Sequence, residues 1–132
     1  MAAEQTYRLG DLQLRIMRVL WRHGTASVAQ VQRELGGDRL AYTTVATMLR
    51  KMEDRGLVRH REHQRRYLYT AAVSADDVTR SMADDLVDRL FDGSLADAVS
   101  HLLETREVSR QELTRLERLI QERKGERGRG SC

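Results

Sequence analysis

The sequence predicts a mainly α fold carrying one small β-hairpin, and three observations support it. Apolar residues recur at helical spacing in three short runs between residues 11 and 54, each followed by glycine. From residue 57 to residue 70 the pattern changes to two short extended segments around a polar turn. After Ala71 helical spacing returns in three further runs, each opened by a serine placed three residues before an acid. Three helices followed by a hairpin with a basic tip make a winged helix-turn-helix. The runs after it make a helical region suited to dimerisation.

The first helix is expected from Asp11 to His23, with Leu12, Ile16, Val19 and Leu20 on one face. Asp11 suits the positive end of its dipole, and Gly24 supplies a left-handed stop. Ser27 and Gln30 form a capping box that opens the second helix. Its face is Val28, Val31 and Leu35, and Gly36-Gly37 ends it. The third helix starts near Thr43 and turns Val45, Met48, Leu49 and Met52 inward. Gly56 closes it, and Leu57 can pack back over the last turn. Extended segments at Leu57–Arg61 and Arg66–Thr70 then flank the turn Glu62-His63-Gln64-Arg65, with Tyr67 and Tyr69 on one side of the second segment. Helices follow at 75–92, 95–104 and 110–124, capped by Ser74, Ser94 and Ser109. The resulting layout is a DNA-binding domain over 7–72, a helical dimerisation domain over 74–124 and a disordered basic tail over 125–132.

Composition narrows the function. Residues 1–72 hold 13 Lys and Arg against 7 Asp and Glu, whereas residues 73–123 hold 7 against 12. A basic front meets a polyanion; an acidic rear is repelled by it and faces elsewhere. No apolar run reaches the roughly 18 residues of a membrane span, and the N-terminus has no secretory signal pattern. The single cysteine, Cys132, excludes disulfides within the chain and fits a reducing cytoplasm. No nucleophile, base and orienting group come together in any motif, so an enzyme is not expected, nor a cofactor.

The outward face of the third helix carries Thr43, Thr47, Arg50 and Asp54, with Thr44, Ala46 and Lys51 at its margins and Tyr42 at its start. Threonine offers a methyl to thymine and a hydroxyl to a base or phosphate, while Arg50 and Lys51 suit phosphates. In the hairpin, Arg59, Arg61, Arg65 and Arg66 suit phosphate oxygens beside the groove, with Tyr67 next to them. A solvated helix face and a charge-protected strand edge are the plain alternatives. His60 and His63 have no cysteine or paired carboxylate with them, so no metal site is expected. Trp21 reads as a core anchor. The rear helices present Val78, Met82, Leu86, Leu90, Phe91, Leu95, Val99, Leu102, Leu103, Leu113, Leu116 and Ile120, more apolar surface than about fifty residues bury alone. Pairing with a second copy would cover it; folding back on the front domain is the other solution.

The segments IMRVLW, SVAQVQREL, YTTVATMLRKMEDRGLV and RRYLYTA, followed by LVDRLFDGSLADAVSHLLE, resemble the penicillinase-repressor (BlaI/MecI) family over about residues 7–122. The resemblance implies a homodimeric repressor on a palindromic operator, with base contacts at Thr43, Thr44, Ala46 and Thr47. Ala46 stands where some relatives have a longer polar or basic side chain. The family is commonly released when a membrane sensor protease cuts the dimerisation helix between an asparagine and a phenylalanine. The corresponding bond here joins His101 to Leu102, a departure from that pattern. Copper-responsive relatives carry a C-terminal cysteine cluster, which this chain lacks. Two other readings stay open at this point: a winged-helix regulator released by a small molecule, and a winged-helix adaptor that binds an acidic protein.

Overall fold

The computed structural model describes residues 7–36 and 39–130, with side chains through Glu126. In chain order the elements are α1 (Asp11–His23), β1 (Thr25–Ser27), α2 (Val28–Glu34), α3 (Tyr42–Asp54), β2 (Val58–His63), β3 (Arg66–Ala71), α4 (Ala75–Phe91), α5 (Leu95–Thr105) and α6 (Arg110–Gly130). The fold is mainly α with a small antiparallel sheet, as the sequence predicts.

The helix ends follow from local chemistry. Gly24 ends α1 at φ 83°. Ser27 accepts from the Gln30 N–H at 3.2 Å and so caps α2. That helix stops at Glu34, ahead of Gly36, while Gly37 lies outside the described residues. Behind α3, the Leu57 N–H donates to the Met52 carbonyl and the Gly56 N–H to the Glu53 carbonyl, both at 2.9 Å. These are the two bonds of a Schellman motif, with Gly56 at φ 80° and Leu57 and Met52 both buried. The serines at 74, 94 and 109 accept from the N–H groups of Asp77, Asp97 and Glu112 at 3.0, 3.1 and 3.1 Å, opening the three rear helices.

One strand was not legible in the sequence. β1 is three residues long and pairs with β3, so among the described residues the sheet has the order β1-β3-β2. Thr25, Ala26 and Ser27 lie opposite Thr70, Tyr69 and Leu68. The Thr70 hydroxyl ties this edge down by donating to the Gly24 carbonyl at 2.8 Å. A strand of this length shows no alternation, and Ser27 announces itself only as a helix cap.

The chain divides into two compact units, Met1–Leu86 and Val87–Cys132. The division falls inside α4 rather than near residue 73. Its cause is Val78, which is 1% exposed and belongs to the core formed by α1, α2, α3 and the base of the sheet; Met82 packs against the same core. Val78 therefore stabilises the front unit and is not available as a dimer surface, contrary to the sequence expectation, whereas Met82 is half-buried beside it. Trp21 is half-buried and anchors the entry to α4 by donating its indole N–H to the Val73 carbonyl at 3.0 Å.

In the second unit the chain turns from α4 to α5 at Asp92 and Gly93, both with positive φ. The rings of Phe91 and His101 stand 5.8 Å apart across that turn. α6 continues to Gly130, so residues 125–130 are helical rather than disordered. Arg123 and Glu126 pair at 3.5 Å along it, and the absence of proline lets the helix run on. Ser131 and Cys132 lie outside the described residues.

The placement of Val78 is testable. Val78→Asp should lower the unfolding free energy by about 3 kcal/mol or more, because it buries an unpaired carboxylate. Urea denaturation checks this, and an unchanged midpoint would put Val78 at a surface.

Candidate nucleic-acid interface

α3 is gripped on one side only. Val45, Leu49 and Met52 have no exposed area, and Met48 is half-buried beside them. Thr43, Thr44, Thr47, Arg50 and Lys51 are all exposed, as is Tyr42 at the helix start. Ala46 differs: it is half-buried and packs against the core, so its methyl is largely spent on the protein itself. No side chain caps the start of α3 at Ala41, which leaves the positive end of its dipole uncovered beside Tyr42 and Thr43. The approach to this helix is fixed by Gln32, whose amide donates to the Leu40 carbonyl at 2.8 Å. At the far side, His23 and Glu34 meet at 2.6 Å and tie α1 to α2.

The Schellman turn reverses the chain into the hairpin. Its strands are longer than expected, because Glu62 pairs with Tyr67 and His63 with Arg66. The turn shrinks to Gln64 and Arg65, both at positive φ (50° and 65°). This is the sign pattern of a type I′ turn, built here without asparagine or glycine. Opposed residues share a face, so Arg59, Arg61, His63 and Arg66 line one side of the hairpin. Val58, His60, Glu62, Tyr67 and Tyr69 line the other, and this side rests on the core through Val58 and Tyr69. The expected phosphate-binding side chains are thus split. Arg61 and Arg66 stand together, Arg65 is at the tip, and Tyr67 points to the opposite face. His60 and His63 also point apart, and no group of three metal-ligating side chains occurs among the described residues.

Sequence reasoning missed the contact that joins α3 to the hairpin. Glu53 receives His60 Nδ1 at 2.7 Å on each carboxylate oxygen and the His60 backbone N–H at 3.2 Å. The His60 ring lies 4.4 Å from that of Tyr67 and 5.5 Å from that of Tyr69. Burial and then the Glu53 carboxylate push the Tyr69 phenol above its usual range. The only sequence signal was an acid and a histidine seven residues apart across a glycine stop.

Leu86, Leu90, Leu95, Leu102, Leu103, Leu113 and Ile120 are exposed, and Leu119, not singled out in the sequence, is exposed with them. Phe91, Val99 and Leu116 are half-buried. Ala98, at 3% exposure, is the small residue buried within α5. The His101–Leu102 bond lies inside α5, with both side chains exposed.

Three helices closing on one core, an outward polar face on the third and a basic β-hairpin after it define a winged-helix DNA-binding protein. The model of the penicillinase repressor family matches residues 9–122. The chain belongs to that family, whose members are transcriptional repressors. It is 25% identical over 118 residues to the penicillinase repressor of Bacillus licheniformis, covering 89% of this chain and 92% of that one. It is 35% identical over 100 residues to the transcriptional regulator BlaI of Mycobacterium tuberculosis, covering 74% and 72% respectively. The solution structure of the DNA binding domain of the repressor BlaI is similar over 57% of this chain and 93% of that one, at 25% identity and a TM-score of 0.48.

The raised Tyr69 phenol has a consequence at alkaline pH. An acid whose folded pKa exceeds its unfolded value is favoured neutral in the fold, so stability is lost as pH rises through the unfolded value of about 10. Absorbance titration should show one tyrosine ionising after the others, and Tyr69→Phe should remove that last step.

Proposed function

We propose that this chain is a homodimeric repressor that binds a palindromic operator, each protomer placing α3 in a major groove and the hairpin on the flanking backbone. The observation that carries this reading is the one-sided burial of α3: three side chains with no exposed area hold it, and Thr43, Thr44, Thr47, Arg50 and Lys51 are left free. Thr43, Thr44 and Thr47 are the base-reading candidates; Ala46 contributes little because it packs inward. Tyr42 and the uncapped start of α3 meet phosphate with Arg50 and Lys51. Arg61, Arg65 and Arg66 extend the contact from the wing, and Tyr67 supports it from the other face. The Bacillus relative is a penicillinase repressor and the Mycobacterium relative a transcriptional regulator, which supports the repressor part of this reading.

The second copy is supported by the apolar side chains that the rear helices expose, among them Leu90 at 68% and Leu95 at 66%. Pairing them buries what one chain cannot, and a two-fold protein matches a two-fold site. Linking two modules raises the effective concentration of each at its half-site. An inducing signal releases the operator. Cleavage at His101–Leu102 by a membrane sensor protease is one route, and it requires α5 to unwind first, since the bond is helical. No helix among the described residues is long and apolar enough to cross a membrane; the proposed site of action is the cytoplasm.

Selection from a random duplex library by the purified protein tests the reading. Recovery of a palindromic sequence is expected; equal binding of the recovered duplex and a scrambled one in moderate salt would overturn it. Leu90→Asp should shift the protein toward monomer in analytical ultracentrifugation and weaken operator binding by at least about tenfold, with every DNA contact intact. Arg65→Ala combined with Arg66→Ala should weaken binding to all duplexes. The slope of log affinity against log salt should become shallower by about 2 per protomer.

A further inference from the structure

We propose that Glu53 and His60 form a positioning pair that fixes the angle of the wing against α3, so that base and phosphate contacts are made together. This rests on the DNA-binding reading above. The pair lies where the fold gives the wing little other support. Val58 is buried at the base of β2, but every residue from Arg59 to His63 is exposed, so packing does not hold the outer strand. β2 is also an edge strand, paired on one side by β3 alone. Glu53 occupies the free side. It receives the His60 backbone N–H, which would otherwise be an open edge donor, and it receives the ring Nδ1 on both oxygens. The ring in turn packs at 4.4 Å, tilted by 35°, against that of Tyr67, directly across the hairpin from Glu62 and two residues beyond the Arg65 tip. A rigid path thus runs from the last turn of α3 through Glu53 and His60 to the outer half of the wing.

The sign of the charge argues for positioning. A carboxylate on a helix that approaches phosphates weakens binding by repulsion, and a lysine there would serve contact better. Glu53 instead directs its side-chain hydrogen bonds at His60. The plain alternative, an incidental surface ion pair, makes the opposite forecast: deleting the acid removes repulsion and strengthens binding.

The experiment uses the full-length protein and the duplex recovered by selection with the wild type, with a scrambled duplex as reference. E53A should weaken binding to both by roughly tenfold and flatten the salt slope, although Arg61, Arg65 and Arg66 are all present. In a double-mutant cycle, E53A placed on the R65A/R66A background should cost little more, because the wing is already silent. E53Q, which retains an acceptor for His60, should recover most of the affinity and the slope. Circular dichroism and sedimentation establish that each variant is folded and of unchanged oligomeric state; if E53A is not, H60A takes its place in the cycle. Equal or tighter binding by E53A, or full additivity with R65A/R66A, overturns the positioning role. Failure of the wild type to prefer the selected duplex overturns the DNA-binding reading instead.

Discussion

One constraint governs the front unit: α3 is held through one face alone. Val45, Leu49 and Met52 meet Ile16, Met17 and Leu20 of α1, Val31 of α2 and Val78 of α4 in one buried cluster. Burying such side chains is worth about 1.5–3 kcal/mol each. An exposed ion pair such as Arg80 with Asp76 is worth about 0–1 kcal/mol. The apolar grip therefore sets where α3 sits, and the polar contacts around it adjust the result. The same arithmetic explains why α4 begins in the front unit. Val78 adds a full apolar side chain to the cluster, so the division between units moves downstream to Leu86.

The wing obeys a different economy. Its base is fixed by Val58 and Tyr69, both buried, and by the Schellman turn at Gly56, where an added Cβ would meet no atom but would sit at φ 80°. Its tip carries Gln64 and Arg65 at positive φ, a conformation that costs non-glycine residues about 1 kcal/mol each and that glycine adopts freely. Arginine occupies the tip despite that cost. Backbone strain borne by a charged residue at an exposed apex fits a surface shaped for contact more than for stability.

The parts of this fold that were legible in the sequence were those set by local chemistry. The span of α1, the serine caps of four helices and the glycine stop after α3 depend on residues a few positions apart. So did the apolar face of α3, where Val45, Leu49 and Met52 are buried as their spacing demands. What could not be read depends on partners far along the chain. β1 exists because β3, over forty residues later, has an open edge for it. Val78 and Met82 have the spacing of a dimer seam, and only the tertiary fold shows that the front core has claimed Val78 and part of Met82. For the candidate interface, exposure of the threonines, Arg50 and Lys51 followed from helical periodicity, but the inward packing of Ala46 needed the tertiary fold and the division of the wing into two faces needed the strand register. The extra two residues of β2 reverse nothing in the alternation, yet they narrow the turn and carry Arg65 to its apex. Glu53 and His60 belong to two elements joined by a reversal, so their meeting depends on the angle of that turn, which no periodicity encodes.

The two halves of the chain also balance opposite forces. The front half is basic, and its proposed partner is a polyanion whose hold weakens as salt screens it. The rear half is acidic over residues 73–123, so the two copies of the proposed dimer would repel one another through charge. In that proposed dimer, what would oppose the repulsion is apolar burial, which salt does not screen and which the exposed leucines of α5 and α6 could supply. In the proposed complex the acid on the rear helices disfavours their approach to phosphates, which is consistent with α3 and the wing as the proposed route to DNA.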